Sequence, residues 1–361
     1  MDNRQLHYFA DGNTAKGLVS FRDSNICGLE TLYLISGSPG TGKTTLIKKI
    51  YNYCLSVGLC VEAMHSVTDN NSLAGIIIPE AKLGLIDNFV KIKPNNINDV
   101  IYLNLDLSVN QSKVCRKFES INFYECKKRL FFNLAYRAFE GALSVHDDWE
   151  AIFIDSMCYD KVNKATNQLI DEIFFDKKTA KSSAVFHRFL GAATHGGAIN
   201  YIENLTKDSS ARYFIKGRPG TGKSTMLRKI AQTALQKGFD VEFYHCGLDP
   251  NSIDMIILRE LGLSFFDSTP PHEHFPQKDC DKVIDIYALA GAAGTDEKYA
   301  DEIADIANKY EEQIKKGVAY LEQAKKMNDK EKVIFSNAST FEHSERAYEK
   351  ITADISKKQS T

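Results

Sequence analysis

No two of the eight cysteines stand in a C-x-x-C pair; Cys27, Cys54, Cys60, Cys115, Cys126, Cys158, Cys246 and Cys280 are scattered along the 361 residues. In a chain of this size they read as reduced thiols, mostly packed, rather than as a disulfide frame or a zinc site. No uninterrupted apolar run reaches membrane-spanning length. The opening MDNRQLHYFADGN lacks a basic head followed by an apolar stretch and a small-residue cleavage site. A cytoplasmic location with no membrane partner is the expectation. Surplus positive charge is missing as well: 45 Lys and Arg against 47 Asp and Glu leave a net charge of −2. There is no global field to hold a polyanion, so nucleic acid is not an expected partner. Neither an H-x-x-x-H helix pattern nor an ABC-type signature segment occurs. No transition metal is assigned, and a nucleic-acid motor ranks last.

What is present is an ordinary globular composition, 43% hydrophobic and 25% charged, enough for about two domains. The chain also repeats itself. At an offset of 180 residues, Phe9 meets Phe189, Gly17 meets Gly197, Lys43 meets Lys223, His65 meets His245 and Asp87 meets Asp267, with no gap needed between Phe9 and Asp87. Each copy reads as alternating strand and helix. In the first, LYLIS is a short apolar run entering a glycine-rich loop, TTLIKKIYNYCLSV has helical spacing and ends at Gly58, and CVEAMH and KLGLID are further strand candidates. That order predicts an α/β fold of two tandem modules, residues 1–182 and 183–361, each a mainly parallel sheet covered by helices.

Beyond Asp87 the copies diverge and turn helical. Ile303, Ile306, Tyr310, Ile314, Val318 and Leu321 form a narrow apolar seam, and CKKRLFFNLAYRAFEGALSV is its counterpart in the first copy. The expectation is a helical hairpin inserted in each module, acting as a lid or as an arm for a protein partner or small-molecule acceptor.

The two glycine loops carry the most specific signal. Gly37, Ser38, Pro39, Gly40, Thr41, Gly42, Lys43, Thr44 and Thr45 satisfy G-x-x-x-x-G-K-[ST], and so do Gly217, Arg218, Pro219, Gly220, Thr221, Gly222, Lys223, Ser224 and Thr225. Glycines let backbone N–H groups and a helix N-terminus close on phosphate. Lys43 and Lys223 are expected to reach the β and γ phosphates of ATP or another NTP, and the Thr44 and Ser224 hydroxyls to ligate Mg²⁺. A metal-side acid belongs at the end of a neighbouring strand, which suits Asp87 and Asp267. Asp155 in EAIFIDS competes, but at an offset of 182 it falls opposite Asn337 in the helical region.

Three further features stay open at this level. His65 and His245, followed by Asp69 and Asp249, read either as strand ends running into Asp-x-Asn-Ser turns or as groups that touch a second substrate. His272 and His274 fit a proline-containing loop better than a metal pair. Arg218, where the first copy has Ser38, either adds positive charge near phosphate or faces solvent.

These motifs, together with FADGNTAKGLVSF, VEFYHCGLDPNSIDMIILREL, FFDSTPPHEHFP and GTDEKYADEIADI, resemble the bacterial tandem P-loop ATP-binding proteins over nearly the whole chain. The resemblance implies ATP binding and a P-loop fold, with no settled substrate. The family commonly shows Asp-Gly-Thr-Ala-Pro-His after the third strand; this chain has DSTPPH at Asp267 but DNFVKIKP at Asp87. On sequence alone, the second site is therefore the choice for ATP hydrolysis or phosphoryl transfer. Two rival readings are a small-molecule or nucleotide kinase and a nucleotide-gated interaction protein with little turnover.

Overall fold

In the computed structural model, which describes residues 5–269 and 273–359, strands and helices run in two matching series. The first comprises β1 (Gln5–Phe9), β2 (Asp11–Thr14), β3 (Gly17–Ser20), α1 (Arg22–Asn25), β4 (Thr31–Ser36), α2 (Lys43–Ser56), β5 (Val61–His65), β6 (Leu73–Ile78), β7 (Leu83–Asp87), β8 (Asp99–Asn104), α3 (Gln111–Cys115), α4 (Phe118–Ile154) and α5 (Tyr159–Phe174). The second comprises β9 (Val185–Phe189), β10 (Gly191–Thr194), β11 (Gly197–Asn200), α6 (Ile202–Thr206), β12 (Ala211–Lys216), α7 (Lys223–Gln236), β13 (Val241–His245), β14 (Ile253–Leu258), β15 (Leu263–Asp267), β16 (Asp281–Asp285), α8 (Ile286–Ala290), α9 (Thr295–Lys298), α10 (Ala300–Ala338) and α11 (Glu342–Gln359).

The architecture is α/β around one twelve-stranded sheet in the order β8-β4-β7-β6-β5-β1-β9-β13-β14-β15-β12-β16. Each half uses the same strand order, and within the sheet the halves join, among the described residues, through a single antiparallel pair, Phe9 with Phe189. Parallel pairing holds for β1 with β5 and for β4 with β7 and β8, and likewise in the second half. Strands β6 and β14, which the sequence reading does not pick out, run antiparallel to both neighbours. The sheet is thus mixed, although parallel pairing predominates. The run LAGIII is buried at all six positions, so it lacks the alternation that marks a strand. Its short connections, residues 66–72 and 79–82, suit hairpins rather than crossovers.

Because β4, β7 and β8 are parallel, their carboxyl ends gather on one side, where Gly37–Gly42 turns into α2. Helix α2 buries Leu46, Ile47, Ile50 and Cys54 against the sheet, one stripe of its surface.

The helical regions depart from expectation. Helix α4 is unbroken over 37 residues and α10 over 39, so neither folds back on itself. They pair with each other, antiparallel: Gly317 faces Phe139, Gly141 faces Gln313, and Lys128 reaches Glu331. The apolar seam marks a helix that needs a partner without saying which one. The partner is the other half's helix, and a hairpin within each half is not formed. Gly317 is fixed by this crossing, since a β-carbon there would collide with the Phe139 ring.

The terminal helices cross over too. Val162, Ile173 and Phe174 of α5 lie in the core of the second half with Tyr213, Ile215 and Leu227. Ala347, Ile351 and Ile355 of α11 lie in the core of the first half with Tyr33, Ile35 and Leu46. The sequence repeat turns over near residue 182, but each half's last helix completes its neighbour.

Candidate functional site

The two glycine loops are built alike. After β4, Gly40 and Gly42 take left-handed φ angles of 87° and 101°, and α2 begins at Lys43. Thr41 Oγ1 closes the turn by donating to the Ser38 carbonyl at 2.8 Å, as Thr221 does to Arg218 at 2.7 Å. Lys43 Nζ donates to the carbonyls of Gly37 and Ser38, and the nearest Asp87 carboxylate oxygen is 4.0 Å away. In the second loop, Lys223 Nζ donates to Gly217 and Arg218 at 3.0 and 2.9 Å, with Asp267 at 3.5 Å. Each loop lysine thus meets the strand-end acid that the repeat pairs with it. Burial pushes the Asp87 carboxyl up, against the pull of Lys43 and Arg22. Ser224 Oγ accepts from the Ile253 N–H at 3.0 Å and keeps a second lone pair.

Each loop is roofed by the other half's helices. A β-carbon on Gly40 would strike the Lys332 carbonyl of α10, and one on Gly220 would lie 2.7 Å from the Glu150 carbonyl of α4. Tyr159, at the start of α5, donates its hydroxyl to the Gly220 carbonyl at 2.7 Å. Over the first loop a cavity of about 790 Å³ opens, lined by Gly37–Gly40, Gly42–Thr45, Asp69 and Asp87 from the first half and by Lys325 and Lys332 from α10.

No family model, curated protein or solved structure matches this chain. The internal repeat supplies a comparison within the chain itself. Lys128, Arg129, Lys325 and Lys332 line the first cavity. At the 182-residue offset the second half, or its partner arm, carries Tyr310, Glu311, Leu143 and Glu150 in their places. Lys128 is held by Glu125 at 2.6 Å and Glu331 at 2.5 Å, and Lys332 by Asp69 at 2.6 Å. The corresponding contact on the other side is aromatic, Trp149 against Tyr310 with ring centroids 6.5 Å apart. Asp11 and Arg22 also line the first cavity as a buried pair 2.6 Å apart, with Arg22 donating to the Asp87 carbonyl. Their counterparts are Gly191 and Ile202.

The second site differs in another way. Asp254 stands where the first half has Ala74. Burial, with Asp267 beside it, pushes its carboxyl up to about 7 while Lys223 pulls the other way. No motif marks these residues in the sequence; their signal lies in the positions where the two copies differ.

The remaining candidates fall away from the cavity or into it. His65 Nε2 lies 2.9 Å from His7 Nδ1 and stacks on Tyr201, and His245 repeats this with His187 and Phe21. Burial depresses them to about 3 and about 4, so both are neutral near pH 7, packed along the seam between the halves. Asp69 and Asp249 form the expected turns, accepting from the Asn71 and Asn251 N–H groups at 3.2 and 3.1 Å. Asp69 additionally faces the cavity through its lysine pair, whereas Asp249 pairs with Lys16 at 3.3 Å. Asp155 caps the exposed end of α4, in the helical region where the repeat placed it. Arg218 is held by Asp296 at 3.0 Å. His274 bonds Ser268 through its backbone; His272 lies outside the described residues.

Proposed function

We propose that the chain is a Mg²⁺-dependent ATP- or NTP-binding enzyme built from two tandem P-loop modules, in which the first loop carries the chemistry. The reaction is transfer of the γ-phosphoryl group to water or to an acceptor. The observation that carries this reading is the first loop's cavity: a phosphate-type nest with Lys43 and Asp87 at its base and cations from both helical arms above it. The second loop has the same base but lacks those cations, which argues for a binding or regulatory role there and reverses the preference taken from DSTPPH alone.

Oxygen donors suit a hard cation, and the Thr44 hydroxyl and the Asp87 carboxylate are of that kind. Bound Mg²⁺ would supply charge neutralisation for the phosphates and keep Asp87 ionised against its burial. The chain's own residues do the rest. Lys43 exchanges its loop carbonyls for phosphate oxygens, the loop N–H groups and the α2 N-terminus fix the phosphates, and α10 excludes water.

Phosphate release measured separately for Lys43→Ala and Lys223→Ala tests the reading. Lys43→Ala is expected to lower turnover by about 10²–10³-fold, with a smaller effect from Lys223→Ala. Turnover unchanged by Lys43→Ala sinks the assignment to the first loop, and unchanged turnover in both sinks the enzyme.

A further inference from the structure

A side chamber of about 220 Å³ adjoins the first cavity, and the two share Phe89, Arg129 and Phe132. Phe89, Phe132 and Tyr136 give its wall an aromatic side, beside the polar Asn13, Thr68 and Asn133. Phe132 and Tyr136, one turn apart on α4, have ring centroids 6.1 Å apart and planes within 23° of parallel. Phe89, two residues beyond Asp87, is 65% exposed. Arg129 stands on the same helix face region, 75% exposed, with one carboxylate partner, Glu125. The repeat acts as an internal control. Where the first half has Phe89, Phe132, Tyr136 and Arg129, the second has Thr269, Ile314, Val318 and Glu311. Since both halves fold, neither the rings nor the guanidinium are demanded by the architecture.

The acids nearby narrow the chemistry. Asp11 is paired with Arg22, Asp69 with Lys332, and Glu125 with Lys128 and Arg129, while Asp87 sits at the proposed metal position. A cavity whose carboxylates are all engaged is poorly furnished with a general base. An acceptor that is already ionised at neutral pH needs none.

Resting on nucleotide binding at the first loop, we propose that the side chamber holds the phosphoryl acceptor, and that this acceptor is a planar ring compound bearing an oxyanion, a phosphate or a carboxylate. The ring stacks on Phe132 and Tyr136, and the anion faces Arg129, which lines both the chamber and the first cavity. One acceptor oxygen forms a bond to the γ-phosphorus as the bond from that phosphorus to the β-bridging oxygen breaks. The nucleoside diphosphate leaves with the electron pair, and no proton is transferred.

The test is titration calorimetry on the full chain, with and without Mg²⁺ and a β,γ-imido ATP analogue. The probes are AMP, UMP and benzoate, with adenosine as ring alone and inorganic phosphate as anion alone. At least one ring-bearing anion is expected to bind about tenfold or more tighter than both controls. AMP or UMP against benzoate separates phosphate from carboxylate. Borrowing the repeat's own residues, Phe132→Ile with Arg129→Glu is expected to weaken that probe at least about tenfold more than it weakens the ATP analogue. In turnover with γ-labelled ATP, the label is expected to appear on the probe. Ring-bearing anions that bind no better than phosphate, or a double exchange with no selective effect, would overturn the proposal. So would label released only as inorganic phosphate. Failure of the ATP analogue itself is read in the arm without probes, and counts against the nucleotide reading separately.

Discussion

Asp254 adds to the second copy an acid that the first does not have: an alanine stands in the first half, and in the second a carboxyl pushed up to about 7 beside Asp267. The sign of its effect on stability follows from linkage. The folded chain holds this proton up to about pH 7, whereas an unfolded aspartate gives it up near pH 4. Its contribution is therefore fully present below the unfolded value and is lost as pH rises through the folded one. Asp254→Asn is expected to raise stability at pH 8 by on the order of 1–2 kcal/mol, a size set by the residue's being only half-buried. At pH 4 it should do almost nothing. Urea denaturation at the two pH values decides it; an equal effect at both removes the cause assigned to the shift. At this scale the loop lysines are legible because they sit at a fixed spacing within a motif, and Asp87 and Asp267 because each ends an apolar run and the repeat pairs them. Asp254, Arg22 and Lys332 belong to no motif, and their neighbours come from other strands or from the other half, so only the folded chain assembles them.

At the scale of elements, helix α2 was legible from its periodicity and β4, β5 and β7 as short runs flanking the glycine loop and repeated in the second copy; β6 is as apolar and as buried as β4, but no motif adjoins it. The long helices were legible as helices but not as partners. Their meeting with the loops is the sharpest constraint on them. Gly40 combines a φ of 87° with the Lys332 carbonyl pressed against it, whereas Gly28 has a φ of 82° and no atom within 4 Å of an added β-carbon. Both positions charge alanine for the left-handed backbone, but only Gly40→Ala must also displace α10. Gly28→Ala is expected to cost about 1 kcal/mol and to leave nucleotide affinity alone. Gly40→Ala should cost about 2–4 kcal/mol and weaken nucleotide binding with it. If the two variants cost the same in urea denaturation, α10 is not seated on the loop as described.

At the scale of the whole molecule, the exchange of α5 and α11 ties the halves together more firmly than the single Phe9–Phe189 pair between their sheets. Removing α11 uncovers the first-half core at Ala347, Ile351 and Ile355, all buried to 5% exposure or less. Each isoleucine is worth about 1.5–3 kcal/mol. That loss is a large part of the 5–15 kcal/mol that holds a typical domain folded. A fragment of residues 1–182 would lack α11 and leave the apolar stripe of α5 and the seam of α4 without partners; residues 183–361 would lack α5 and leave α10 unpaired. Each fragment alone is therefore expected to be aggregated or unfolded by circular dichroism, while the two expressed together should form a soluble one-to-one complex. Crossing also explains why a duplicated chain would keep its copies on one polypeptide: each glycine loop is roofed by helices encoded in the other repeat, so neither site is complete without both. Independent folding of residues 1–182 with a native melting transition would show that the exchanged helices are accessories, and the two loops would then have to be read as separate sites.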